Sequence, residues 1–207
     1  MIYLVVGRTG SGKDYLANQL CNTFNLVQLK SFTTRPKRTN DEDTHIFITE
    51  SESKNYEDRV AETVINGYEY FATRHQVYTS DIYLIDPNGI KTLLQNMPEA
   101  QFTIIYVTTL DYIRKQSAIN RVGFTTTNID IINSRDESEN EQFSLFENDY
   151  LNNLKFNNNT KLIYKDNPIA NYPNVKSLYV YSNGYNAEYC SNWCNLFYNM
   201  VIRKNSV

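Results

Sequence analysis

The chain has little from which to build a disulfide scaffold or a metal centre. Only three of its 207 residues are cysteines (Cys21, Cys190, Cys194) and two are histidines (His45, His75). The thiol count is odd and lacks the spacing of a cross-linked framework, so reduced thiols are expected and zinc is not. Cys190 and Cys194 are four apart on an expected helix and lack further ligands. Charge of one sign is also scarce. A net charge of −3 and a pI near 5.5 leave no electrostatic footprint for nucleic acid. No apolar run approaches the roughly 18 residues of a membrane span. No basic segment precedes the short apolar run at the start, so no membrane partner is expected and the expected location is cytoplasmic. With 41% hydrophobic residues the chain can bury one good core, as a single domain with small inserted subdomains. Asparagine (27) and tyrosine (17) are frequent but form no tandem repeat. They read as a bias of the source genome, apart from a polar loop at residues 152–160.

What is present is concentrated at the start. Ile2, Tyr3, Leu4, Val5 and Val6 form an apolar, β-branched run that meets Gly7-Arg8-Thr9-Gly10-Ser11-Gly12-Lys13, and a helical pattern over residues 13–24 follows at once. Strand, glycine-rich turn and helix satisfy the GxxxxGK part of the P-loop pattern in its required context. A polyphosphate must be met by backbone N–H groups at close range, which larger side chains would obstruct. Lys13 then reaches the outer phosphates as a point charge. The position after Lys13 departs from the pattern. Ser or Thr would bind Mg²⁺ there, and Asp14 either helps hold the ion or weakens nucleotide binding.

Residues 26–31 read as a short strand leading into Ser31-Phe32-Thr33-Thr34-Arg35-Pro36-Lys37-Arg38, an acidic turn (Asp41, Glu42, Asp43) and His45-Ile46-Phe47-Ile48. Standing alone, Arg35, Lys37 and Arg38 would be a solvated basic loop. At the ligand-binding edge of a P-loop sheet the guanidinium groups of Arg35 and Arg38 are expected to clamp a phosphate. Asn66-Gly67 between two strand-like runs is a type I′ hairpin signal. It pairs Ile65 with Tyr68, Val64 with Glu69, Glu62 with Phe71 and Val60 with Thr73. Alternation then places Glu62, Phe71 and Thr73 on one face. That face suits the edge of a planar base, although an ordinary polar surface hairpin would look the same.

Residues 81–86 read as a buried strand ending in Asp86, an acid placed for Mg²⁺ or for substrate positioning. Pro87-Asn88-Gly89 turns into a helix reaching about Gln95. Residues 102–107 form another strand, and Thr108 or Thr109 is expected to cap a helix ending near Arg121. A polar break at 123–128 precedes a helix over 129–146 carrying Arg135, and these two helices read as a mobile lid. Residues 161–164 are expected as the last sheet strand, with 177–181 a further candidate. Residues 187–204, containing Trp193, read as a helix whose aromatic stripe packs in the core.

Taken together, these motifs resemble the guanylate kinase family of P-loop nucleoside monophosphate kinases over residues 2–167. The most specific part is the stretch Ser31 to Arg38, similar to the family's SxTTRxxR phosphate-binding segment. The resemblance implies an α/β P-loop NTPase fold, with a central parallel sheet flanked by helices in a core of residues 1–31, 80–120 and 136–207. A small β-rich NMP-binding subdomain (32–79) and a helical lid (121–135) would complete it. It implies ATP bound by Gly7, Arg8, Thr9, Gly10, Ser11, Gly12, Lys13 and Asp14, with Mg²⁺ at Asp14 and Asp86. GMP or dGMP would be bound by Ser31, Arg35, Arg38, His45, Glu62, Phe71, Thr73 and Asp86. Lys13, Arg35, Arg38, Arg121 and Arg135 would carry the catalysis. Glu62 and Thr73 have the family's eleven-residue separation for reading the guanine edge. Departures are visible: His45 and Phe71 stand where the family has two tyrosines, and the loop from Arg38 to His45 is short. Lys13-Asp14 is similar to phage-type deoxynucleoside monophosphate kinases, which implies looser base selection and, for a viral enzyme, the host cytoplasm. A broad-specificity deoxynucleotide kinase and a non-catalytic binding module of the same fold are the alternatives.

Overall fold

The computed structural model describes residues 1–152, 154–157, 162–166 and 172–203. In chain order the elements are β1 (Ile2–Val6), α1 (Lys13–Phe24), β2 (Gln28–Leu29), β3 (Phe32–Thr33), β4 (Ile46–Phe47), α2 (Glu50–Ser53), β5 (Arg59–Ile65) and β6 (Tyr68–Thr73). There follow α3 (Arg74–Tyr78), β7 (Ile82–Leu84), α4 (Pro87–Asn96), β8 (Phe102–Thr108), α5 (Asp111–Val122) and α6 (Thr126–Tyr150). The chain closes with β9 (Lys155–Asn157), β10 (Leu162–Asp166), β11 (Val175–Ser182) and α7 (Ala187–Phe197), which runs into a π-helical turn at Tyr198–Ile202.

β1 is buried along its whole length, as a central strand with layers on both faces must be. Its alternation feeds two cores. Ile2, Leu4 and Val6 join Ile90 and Leu93 of α4 and Phe143 and Phe146 of α6. Tyr3 and Val5 join Leu16 and Leu20 of α1 and Trp193 and Phe197 of α7. Each such side chain contributes about 1.5–3 kcal/mol on burial. The sheet between them runs β2-β7-β1-β8-β11-β10-β9. Its first five strands are parallel, and β10 and β9 are added antiparallel. This is the expected α/β fold with a parallel central sheet flanked by helices. Tyr181, Trp193 and Phe197 stack within the second core, so the aromatic stripe of α7 is packing.

Several boundaries move for physical reasons. The expected strand at 26–31 shortens to β2, because at Ser31 the chain leaves the large sheet and enters a second one, ordered β4-β3-β6-β5. Neither Thr108 nor Thr109 caps α5: Thr108 ends β8, and Leu110 occupies the N-cap without a side-chain hydrogen bond. α6 starts early, with the Thr125 hydroxyl accepting from the Asn128 N–H at 3.2 Å, so residues 123–125 alone form the break. α4 begins at Pro87 itself, capped by Asp86. Lys161 of the expected last strand, residues 158–160 of the polar loop and Lys204 of the expected C-terminal helix lie outside the described residues.

In the hairpin, Asn66 (φ 52°) and Gly67 (φ 80°) make the turn, and the expected pairs Ile65–Tyr68, Val64–Glu69 and Glu62–Phe71 form. The fourth does not: Thr73 pairs with Arg59, because a bulge between Arg59 and Ala61 inserts Val60. Thr73 therefore lands at the start of α3, where its hydroxyl accepts from the Gln76 N–H. Phe71 is fully buried beneath the Arg59 guanidinium, 4.0 Å from its ring centroid, and packs on Phe32 and Tyr56. Phe71→Ala is expected to lower the unfolding free energy by about 3–5 kcal/mol in urea titrations. Thr73→Ala should lower it by about 1 kcal/mol. Wild-type stability in Phe71→Ala would contradict the packing role.

Candidate active site

The turn between β1 and α1 is held by its carbonyls. Arg8 C=O accepts from the Ser11 N–H (3.0 Å), Thr9 C=O from Arg114 (3.3 Å), Gly10 C=O from the Tyr185 hydroxyl and Ser11 C=O from the Asn183 amide (2.8 Å). Four successive carbonyls are thus turned to protein donors. The helix they lead into starts at Gly12 with no side-chain cap, so its first amides are left to another acceptor. Gly10 (φ +78°) and Gly12 (φ +88°) occupy the left-handed region. A Cβ would come within 2.3 Å of the Arg114 carbonyl oxygen at Gly10 and within 2.1 Å of Asn183 Nδ2 at Gly12. Conformation and close packing both demand glycine.

A cavity of about 360 Å³ opens between this turn and the small sheet. It is lined by Gly7, Thr9, Lys13, Asp14, Ser31, Arg35, Arg38, His45, Glu62, Asp86, Arg121 and Arg135 among the residues the sequence singles out. Arg8, Gly10, Ser11, Gly12, Phe71 and Thr73 do not line it. Arg8 points the other way, because it forms a two-pronged pair with Glu147 of α6 (3.1 and 3.2 Å) and donates to Asn140 (3.1 Å). The guanidinium that looked like part of the nucleotide grip therefore ties the turn to α6.

The opposite wall is basic. Arg35 is buried, with its guanidinium on Glu42 (2.7 and 3.2 Å), the Tyr70 hydroxyl (3.1 Å) and the Pro36 carbonyl (2.7 Å). Donation from Arg35 holds the Glu42 carboxyl down at about 2. Arg38 is far less committed: its guanidinium lies 3.9 Å from Glu42, and its basicity is lowered by burial and by the neighbouring charges of Arg35 and Arg135. Among the described residues, Arg121 and Arg135 make no ion pair. Ser31 and His45 share a hydrogen bond of 3.0 Å between Oγ and Nδ1. Burial, followed by the Arg35 charge, pushes the imidazole down to about 4.

No family model matches the chain, and no curated protein does. Among solved structures the chain is similar to the crystal structure of guanylate kinase from Anaplasma phagocytophilum, at 16% identity over 71% of this chain and 85% of that one, with a TM-score of 0.41.

Three expected roles at the base-facing end are altered. Glu62 borders the cavity, yet its carboxylate pairs with Arg59 at 3.1 Å. Thr73 is spent on the α3 cap, and Phe71 is interior. The strand face that does meet the cavity carries Ala61, Thr63, Ile65, Tyr68 and Tyr70. Tyr70, rather than Phe71, thus supplies a hydroxyl beside Arg35. Period-2 alternation counted from Asn66-Gly67 would have found it, since Tyr68 and Tyr70 share a face opposite Phe71. Asp86 lines the cavity with its carboxyl pushed upward, chiefly by burial, while Oδ1 accepts from the Asn88 and Gly89 N–H groups (2.9 and 3.0 Å). No sequence motif pointed to Glu139 of α6, whose carboxylate accepts from the Thr9 N–H at 2.9 Å and from the Thr9 hydroxyl. Asn183 and Tyr185 were likewise invisible, because they serve the turn from 170 residues further along the chain.

His45 makes the stability depend on pH. Its folded pKa lies below the ordinary imidazole value near 6.5, so between those values the unfolded chain binds more protons. The His45 contribution is present above about pH 6.5 and is lost as pH falls toward about 4. An NMR titration of the His45 ring should give a midpoint near 4 in the ligand-free protein, and a midpoint at 6.5 would contradict the burial argument.

Proposed function

We propose that this protein is a nucleoside monophosphate kinase that transfers the γ-phosphoryl group of ATP to a nucleoside monophosphate, with GMP or dGMP as acceptor. The observation that carries this reading is one cavity with two anion grips on opposite walls. Uncapped helix amides and Lys13 form one; Arg38, Arg35, Ser31, His45 and Tyr70 form the other. A single-phosphate ligand needs only one of them. Two phosphate groups meeting in line between them, with Arg121 and Arg135 on the same cavity, is the arrangement phosphoryl transfer requires. The acceptor phosphate is already an anion, so no side chain need remove a proton.

In this reading Lys13 and the uncapped first amides of α1 stabilise charge on the transferred phosphoryl oxygens. Arg38 and Arg135, uncommitted and mutually repelling, bind the acceptor phosphate. Arg35 is a positioning residue: most of its donors are satisfied within the protein, and it aims the Tyr70 hydroxyl and fixes Glu42. Asp14 offers a hard oxygen 4.0 Å from Lys13 and fits Mg²⁺ shared with phosphate oxygens, whereas Asp86 Oδ1 is occupied by the α4 amides. Bound there, the ion would neutralise charge on the phosphates.

The broader acceptor reading is favoured by one specific observation. With Glu62 paired to Arg59 at the cavity border and Thr73 turned to Gln76 outside it, the expected guanine-reading pair is not assembled, which supports looser base selection.

A coupled assay over a panel of nucleoside monophosphates tests the proposal. Lys13→Ala and Arg38→Ala should each lower turnover by about 10²-fold or more, and near-normal rates in both would contradict it. Glu139→Gln weakens a competing anion at the Thr9 amide and should tighten ATP binding by about 3- to 10-fold. Calorimetry showing weaker binding would contradict that role.

A further inference from the structure

The base-facing end of the cavity keeps one polar group that no described residue satisfies. Gln142 of α6 lines the main cavity and also a second cleft of about 330 Å³ between α6 and the hairpin tip; both spaces are bounded by Thr63, Asn66 and Ser138 as well. Its carboxamide oxygen is buried and has no hydrogen-bond partner among the described residues. A buried acceptor left unmade is costly in any fold and calls for a donor from outside the chain.

Its position says which donor. Gln142 is seven residues from Arg135 on the same face of α6, about 10 Å along the helix axis. Arg135 stands with Arg38 at the acceptor phosphate, so Gln142 stands one nucleotide length away, where the base would lie. Thr63 of the hairpin borders the same two spaces. The helix is fixed on the turn by Arg8 with Glu147 and Asn140 and by Glu139 with Thr9, so the amide is held in place. On a nucleobase edge the groups able to satisfy an oxygen are N–H donors; adenine and cytosine offer an exocyclic amino group alone, whereas guanine offers N1–H beside its 2-amino group.

Building on the kinase reading, we propose that Gln142 is a specificity-determining residue whose carboxamide oxygen accepts from the 2-amino group of a guanine acceptor. The amide on α6 takes over the base edge that the hairpin's Glu62 and Thr73 leave unread.

GMP and IMP differ only in that amino group, so initial rates of the full-length protein with ATP and either acceptor read the contact directly. The wild type should prefer GMP by about tenfold in kcat/KM. Gln142→Met, of similar length but without the carbonyl, should raise the KM for GMP to that for IMP and so abolish the preference. Gln142→Glu, which keeps an oxygen, should retain the preference. Equal use of GMP and IMP by the wild type overturns the proposal without any variant. An unchanged GMP-to-IMP ratio in a folded Gln142→Met does so too, and both leave the kinase reading standing. Phosphoryl transfer to no nucleoside monophosphate at all would overturn both.

Discussion

Arginines gathered on one wall of a cleft, only partly offset by acids, organise this molecule. Arg35, Arg38 and Arg135 lie close enough that burial and mutual repulsion lower the basicity of Arg38. Glu42 compensates Arg35 almost completely and Arg38 only at 3.9 Å. Arg121 and Arg135 find no ion pair among the described residues. Such a cluster is least stable empty and becomes favourable when an anion enters, because the attraction acts in a partly desolvated cleft where screening is weak. The loop after β3 of the second sheet carries Arg35 and Arg38, α5 and α6 carry Arg121 and Arg135, and the first sheet carries the glycine-rich turn, so the fold brings a basic wall to a set of uncapped amides.

Each grip already holds a carboxylate belonging to the chain. Glu139 sits on the Thr9 amide and Glu42 sits on Arg35. α6 is central to this arrangement. It supplies Arg135 and Gln142 to the cavity, Glu139 to the turn, and Glu147 and Asn140 to Arg8, so any shift of that helix is felt simultaneously at both grips.

The sequence made the architecture legible, together with many of the residues that line one cavity. Apolar strands separated by helical patterns imply a parallel sheet, and GxxxxGK between strand and helix names its own geometry. Lys13, Asp14, Ser31, Arg35, Arg38, His45, Asp86, Arg121 and Arg135 all meet in one cavity. The base-facing half was not legible, and one residue is the cause. A bulge at Val60 leaves no local signature, yet it shifts Thr73 out of register and onto a helix cap. The assignment of Phe71 as a tyrosine substitute failed because a hairpin face was chosen without a rule for which side meets the ligand. Partners distant in sequence, such as Asn183 for the turn and Glu147 for Arg8, exist only once the chain is folded.

Two grips on one cavity make a prediction that no single-site protein shares. An adenosine and a guanosine joined through five phosphates would engage both walls at once. Titrated calorimetrically in the presence of Mg²⁺, it should bind one per chain and at least tenfold more tightly than ATP or GMP alone, because the second contact becomes intramolecular. Binding no tighter than the better single nucleotide, or two molecules per chain, would contradict a shared cavity.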